Sequence, residues 1–286
     1  MIDYTARLTA LMEDIVGRVP ALGFIDMRAV LVFARPGRRG AGGALATCHT
    51  HEPPGDGPDR YTWVDRRTGR VVRQSEWFVV RAPDVRIAGR RVRHLISFAL
   101  PRFCEQTLGD AGKRDRYPEG APWLAKLDTV VHELYHIDPA AAGIRRAARA
   151  DGTASRHAHG AAFYRDVAAM VRAYLASRPD PALLDVLACD YRELVRRHGE
   201  VAGRTFRNYP SFPQPYLEPV DGPAPAHGVG LVRLTRHRQP PRYGEGDLQL
   251  RRFMARGRPI LIGDTGDRGL FRYLNTRRTD TRRGPQ

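Results

Sequence analysis

The sequence has few cysteines, almost no lysine and no long apolar run, and the first and last of these shortages each exclude a class of protein. The three cysteines, Cys48, Cys104 and Cys189, are far apart and odd in number, so they predict neither a disulfide framework nor a CxxC zinc ribbon. No stretch of about 18 apolar residues is present, so we expect no transmembrane helix. The N-terminus lacks the basic-then-apolar pattern of a secretory signal, and the default expectation is a cytoplasmic location.

The positive charge is almost entirely arginine, because the chain has only two lysines, Lys113 and Lys126. The formal net charge is +16 over 286 residues. Residues 201–286 contain 16 Arg against 7 Asp and Glu, a net of +9, so this last part of the chain carries more than half of the excess. A basic surface attracts polyanions, which makes nucleic acid a candidate partner through the C-terminal region.

Hydrophobic periodicity predicts a mixture of helices and short strands. The predicted helices cover residues 4–18, about 122–138, about 159–175 and 181–198. The predicted strands cover residues 27–34, 61–64, 71–72, 77–80 and 92–100, with the second and third forming a hairpin and residues 36–43 a loop. We therefore expect an α+β domain over residues 1–200. A basic, Pro/Arg-rich extension follows over 201–286, disordered from about residue 277 onward.

The stretch His132-Glu133-Leu134-Tyr135-His136 lies in the predicted helix that begins near residue 122. Residues four apart lie on the same face of a helix, so His132 and His136 can offer two imidazole nitrogens to one ion at the ~2.0–2.1 Å that zinc prefers. Glu133 is rotated by about 100° from His132 and can reach a water molecule at such an ion. Zinc lowers the pKa of this water towards ~7, and a nearby carboxylate can then act as general base.

A catalytic zinc site needs a third protein ligand and an open position. His159, at the start of the next predicted helix, is the favoured candidate, because Gly160 allows a close approach of the backbone and Phe163 can anchor the helix in the core. His157 is the main rival, since alternation in an extended segment points both imidazoles the same way. Three carboxylates complete the alternatives: Asp138, Asp166 and Glu193.

The oxyanion of a tetrahedral intermediate needs a hydrogen-bond donor. His157 can supply one if it is not a ligand, and Tyr135 and Tyr164 are the other candidates, although a packed tyrosine is the commoner outcome. The strand predicted over 92–100 precedes the metal helix. If it lies at a sheet edge, an extended peptide can pair with it, but a core strand is an equally good interpretation.

The sequence TVVHELYHI over residues 129–137, followed by HGAAF over 159–163, resembles the SprT-like zinc metallopeptidases and related phage and bacterial metallopeptidases. The resemblance covers roughly residues 25–176. It implies a zincin-like fold, in which a small mixed or antiparallel sheet packs against a metal-bearing helix and a second supporting helix. It also implies Zn²⁺, ligands at His132, His136 and His159, and Glu133 as general base. This chain departs from the pattern in its long step of 23 residues from His136 to His159 and in lacking paired cysteines for a C-terminal zinc ribbon.

Three functions fit these features. The first is a zinc metallopeptidase that hydrolyses peptide bonds, with nucleic acid as a candidate partner. The second is a zinc hydrolase of a non-peptide amide. The third is a nucleic-acid-binding protein with a structural or inert zinc site. Glu133 argues against the third, because a structural site has no need of a base beside the water.

Overall fold

The computed structural model describes residues 1–37, 43–50, 59–64, 71–81, 83–109, 112–118, 120–140, 143–147, 158–160, 162–207, 213, 216–219, 229–230, 242–254 and 259–261. The helices in these ranges are α1 Tyr4–Arg18, α2 Lys113–Arg116, α3 Leu124–Tyr135, α4 Phe163–Ala176, α5 Pro181–Ala188 and α6 Tyr191–His198. The strands are β1 Ile2–Asp3, β2 Val30–Gly37, β3 Ala46–Thr50, β4 Asp59–Val64, β5 Val71–Arg81, β6 Asp84–Ile87, β7 Arg90–Arg91, β8 His94–Pro101, β9 Val201–Phe206, β10 Tyr216–Pro219, β11 Val229–Gly230, β12 Arg242–Tyr243, β13 Leu248–Phe253 and β14 Pro259–Leu261. The predicted α+β class is thus confirmed.

The strands of the described residues form four small sheets. In the sheet that packs against α3, β8 is central, parallel to β2 on one side and antiparallel to β3 on the other. Two further sheets have the orders β10-β5-β4-β11 and β12-β6-β7. The last has the order β1-β9-β13-β14, so the N-terminal strand pairs with β9 near residue 201.

The main core lies between helix α1, the sheet β2-β8-β3 and helices α3 to α6. Asp3 caps α1, since its side chain accepts a hydrogen bond from the backbone N–H of Ala6. The predicted apolar stripe of α1 is fully buried, at Leu8, Leu11, Met12 and Ile15. None of the helices in the described ranges is long and apolar enough to cross a membrane.

Several predicted boundaries were wrong. Residues 27–29 form a 3₁₀ turn, because Asp26 accepts the backbone N–H of Arg28, and the strand then continues through residue 37 into the predicted loop. The strand predicted over 77–80 is part of the longer β5. The helix predicted over 181–198 is two helices, because Asp190 adopts an extended conformation and caps α6. Strand β8 is central in its sheet, so of the two alternatives for residues 92–100 the structure has the core strand.

The division of the chain at residue 200 stays a prediction. Strand β9, which follows that boundary directly, belongs to the described core, with Val201 and Ala202 buried. The predicted disorder from residue 277 onward lies outside the described residues.

Candidate metal centre

Helix α3 carries the first three residues of the site. Its apolar side chains are buried at the predicted helical spacing, against α4 and α1 (Leu127, Val130, Val131 and Leu134). The helix ends at Tyr135, with His136 as its C-terminal cap residue. His132 and His136 therefore lie one turn apart on the same face, as predicted.

Both lysines of this arginine-rich chain are buried, Lys126 on α3 itself and Lys113 against that helix, and neither was predicted from the sequence. Lys126 donates hydrogen bonds to the backbone carbonyls of Leu187 and Cys189, at 2.9 and 2.6 Å. Lys113 forms an ion pair with Asp128 at 2.7 Å, with exposed fractions of only 6% and 1% for the two side chains. The use of lysine rather than arginine at these two positions was the feature of the sequence that could have indicated their burial, because a compact ammonium group fits where a planar guanidinium does not.

The chain returns from α3 to His159 through a short backbone pairing. Ile137 and Ile144 form an isolated antiparallel bridge, and the backbone N–H of Arg145 donates to the carbonyl of His136 at 2.7 Å. Farther along, a Cβ on Gly160 would lie 3.0 Å from the Cβ of Ala147, so the segment that holds His159 passes close to residue 147. This close approach agrees with the role predicted for Gly160.

The three histidines converge on one point through their Nε2 atoms. The separations between these nitrogens are 3.0 Å for His132 and His136, 3.1 Å for His136 and His159, and 3.2 Å for His132 and His159. His136 is buried, His132 is half-buried and His159 is exposed, so the triangle is open to solvent on the side of His159. His159 precedes α4, which begins at Phe163, and does not lie within that helix as predicted.

Burial keeps all three imidazoles neutral. It lowers the pKa of His132 to about 2 and that of His136 to about 4, and the neighbouring histidines add to both shifts. The pKa of His159 is also lowered by burial, by a smaller amount. A neutral imidazole has a free lone pair, which is the form that binds a metal ion. The Nδ1 atom of His136 is buried and has no hydrogen-bond partner among the described residues.

Glu133 follows His132 on α3 and is 4% exposed. Burial raises the pKa of its carboxyl group to about 8, an effect that is partly offset by a hydrogen bond with the backbone of Cys48 and by the charges of Lys113 and Arg35. A buried carboxyl group of this kind gains from a nearby cation, which favours its ionised form. Glu133 is thus placed between α3 and strand β3.

Aromatic rings surround the histidines. The ring of Phe163 is 4% exposed and its centroid lies 4.9, 5.0 and 4.7 Å from those of His132, His136 and His159. Tyr164 stacks on His159 with centroids 5.4 Å apart and is 38% exposed. Phe163 therefore packs against all three candidate ligands, and Tyr164 lies at the open side of the group.

The alternative ligands are engaged elsewhere. The side chain of Asp138 accepts the backbone N–H of Ala140, and Asp166 accepts the hydroxyl of Tyr135 at 3.1 Å. Glu193 lies on α6, where it pairs with two arginines. His157 lies outside the described residues.

Among the described residues, His132, His136 and His159 are the one group of three or more potential ligands that are arranged to hold a metal ion. No family model matches the chain. No curated protein and no solved structure matches it either. The function is therefore argued from the geometry of the site alone.

Proposed function

We propose that this protein is a zinc-dependent metallopeptidase with a zincin-like arrangement of α3 and the sheet β2-β8-β3. The observation that carries the proposal is the triangle of imidazole nitrogens of His132, His136 and His159, with the buried carboxyl of Glu133 on the same helix as His132. Three histidine ligands with an open position are typical of catalytic rather than structural zinc sites.

The nitrogen separations fit the proposed ion. Zinc–nitrogen distances of about 2.05 Å in tetrahedral geometry require ligand nitrogens about 3.3 Å apart. The three Nε2 separations of 3.0, 3.1 and 3.2 Å are close to this value. Since a helix supplies two of the ligands and the solvent-facing side stays open, the donor set accommodates both the ion and a water molecule.

The chemistry follows from Glu133. Zinc at this site would lower the pKa of a water molecule towards ~7 and polarise a substrate carbonyl. Glu133 accepts the proton of the attacking water and passes it to the leaving amine, so it acts first as general base and then as general acid. Because the carboxyl group is buried and not solvated, a nearby cation would lower its pKa and favour the ionised form that accepts a proton.

Strand β3 is the proposed docking edge for an extended peptide. Among the described strands it pairs only with β8, and the carbonyl of Leu45, just before it, accepts the N–H of Ala99. Backbone groups alternate in direction along an antiparallel strand, so those of Ala46 and Cys48 point away from β8. Cys48 makes its backbone hydrogen bond to Glu133, so this outer edge faces the proposed base. A peptide paired there would lie along the site.

Tyr164 is the proposed donor to the oxyanion. Of the two tyrosines considered, Tyr135 donates its hydroxyl to Asp166 and has the guanidinium of Arg145 over its ring at 4.1 Å. Tyr164 is half-exposed and stacks on His159, at the open side of the triangle. A preorganised hydroxyl at this position would stabilise the developing negative charge.

The test is a Glu133→Gln variant compared with Glu193→Gln, a matched change of a partly exposed carboxylate on α6. We expect Glu133→Gln to retain about one zinc per chain and to lose cleavage of an unfolded protein such as casein, measured as new amino termini. Glu193→Gln should retain both. The peptidase proposal would be refuted if Glu133→Gln cleaved the substrate as fast as the wild type. It would also be refuted if the zinc-loaded wild type hydrolysed small amides but cleaved no peptide.

A further inference from the structure

A cavity of about 510 Å³ lies apart from the histidine group, at the end of the sheet where β2 and β8 begin. None of the three histidines lines it, although Ile137, the residue after His136, forms part of its wall. The volume is within the range of small-ligand sites in proteins. This cavity is therefore a second candidate site, independent of the metal centre.

The lining is strongly cationic. Four arginines line the cavity, and Asp26 is the only acidic residue among the described residues that do so (Arg28, Arg90, Arg91 and Arg93). Arg28 already holds the Asp26 carboxylate by two hydrogen bonds of 2.7 and 2.9 Å. Arg90 and Arg91, which form the short strand β7, are exposed and make no ion pair within the described part of the chain. The charge of Arg90 helps to lower the pKa of the Asp26 carboxyl, although less than Arg28 does, so a single carboxylate faces four arginines among the described lining residues.

A buried histidine adds an unmet polar group. His94 is 3% exposed, lines the cavity, and its Nδ1 has no hydrogen-bond partner among the described residues. Burial, together with the charge of Arg93, lowers the pKa of His94 to about 4, so the ring is neutral. A buried polar atom without a partner is costly, and His94 adds a neutral polar ring to the wall of the cavity.

An exposed aromatic ring completes the lining. Phe24 is 37% exposed, and it is one of four large hydrophobic side chains of the described residues that remain exposed. It lies in the same cavity as Arg90 and Arg91. Aromatic rings next to arginines provide a stacking surface for a nucleobase and charged donors for its phosphate.

We propose that this cavity binds a nucleotide, with the phosphate held by Arg90 and Arg91 and the base stacked on Phe24. The arginine guanidinium groups supply the charge-assisted hydrogen bonds that a phosphate requires. The same two groups, a phosphate and a base, are present in a free nucleotide and in each nucleotide of a single-stranded nucleic acid. This site differs from the C-terminal basic region, since all of its residues lie between 24 and 137.

The experiment uses the full chain and two probes: adenosine monophosphate and a fluorescent single-stranded oligoadenylate of about ten nucleotides. The variant Arg90→Gln/Arg91→Gln is compared with Arg7→Gln/Arg192→Gln, which removes two exposed charges on α1 and α6 that do not line the cavity. We expect the first pair to weaken binding of the preferred probe by about tenfold or more. The control pair should change it by less than about threefold. A preference for one probe identifies the source of the nucleotide.

A second variant tests the base. Phe24→Ala should weaken binding by about tenfold, and Phe24→Trp should restore it. Three results would overturn the proposal: no binding of either probe to the wild type, equal losses in the two arginine double variants, or unchanged binding in Phe24→Ala. Competition by an acidic peptide as effective as that by adenosine monophosphate would show a general anion site and would also overturn the assignment.

Discussion

Phe163 is the side chain that most directly joins the fold to the candidate metal centre. Its ring is buried within 5.0 Å, centroid to centroid, of all three histidines and of Tyr135. Replacement by alanine removes the surface against which each imidazole rests. We therefore expect Phe163→Ala to reduce both the stability of the fold and the affinity for zinc.

The magnitude follows from the volume lost. Removal of the ring opens roughly 100 Å³, and at about 24 cal/mol per Å³ the cavity costs about 2.4 kcal/mol. The lost burial of the ring brings the total to about 3–5 kcal/mol in the free energy of unfolding. Because the imidazoles lose their shared support, zinc affinity should fall by about tenfold or more.

The matched control is Phe33→Ala. Phe33 is fully buried, but it belongs to the smaller second core, where it contacts Phe206. Urea unfolding should give a similar loss of stability for the two variants, while competition with a zinc indicator should show weaker binding for Phe163→Ala alone. Equal zinc affinity of the two folded variants would refute the argument that Phe163 holds the ligands in place.

Three further predictions follow. Tyr164→Phe should lower kcat by about 100-fold with little change in KM; an unchanged kcat would exclude Tyr164 as the oxyanion donor. Asp128→Asn should cost about 3–5 kcal/mol in urea unfolding, because it leaves the buried Lys113 without its ion pair, and a loss below 1 kcal/mol would contradict this. The lowered pKa values of His132 and His136 predict a stability contribution that is present above about pH 6.5 and lost as the pH falls towards 4. The measurement uses the metal-free Glu133→Gln variant, because the raised pKa of the Glu133 carboxyl would change the stability in the opposite direction over this pH range. The free energy of unfolding in urea should rise with pH by up to about 2.7 kcal/mol per pH unit. No change in this free energy between pH 7 and 5 would contradict the argument from burial.

The sequence predicted the elements whose apolar periodicity is strong. Helix α1 was predicted over its full length, because its apolar stripe is regular. Helix α3 was predicted to within two or three residues at either end. The break between α5 and α6 was missed, since the apolar stripe continues across it and only the capping residue Asp190 marks the boundary.

The part of the site that lies within one helix was also predictable. His132, Glu133 and His136 are related by helical geometry alone. The arrival of His159 depends on contacts that are distant in sequence, namely the bridge of Ile137 to Ile144 and the close approach of Gly160. Likewise, the cavity beside His94 is a property of tertiary packing, which no local pattern in the sequence specifies.

The central claim is that His132, His136 and His159 hold one zinc ion. Its most direct test is the zinc content of the purified wild type, of His159→Ala and of His157→Ala, measured by mass spectrometry on folded protein. We predict about one zinc per chain in the wild type and in His157→Ala, and almost none in His159→Ala. Folded wild type without metal, or full zinc content in His159→Ala, would contradict the claim.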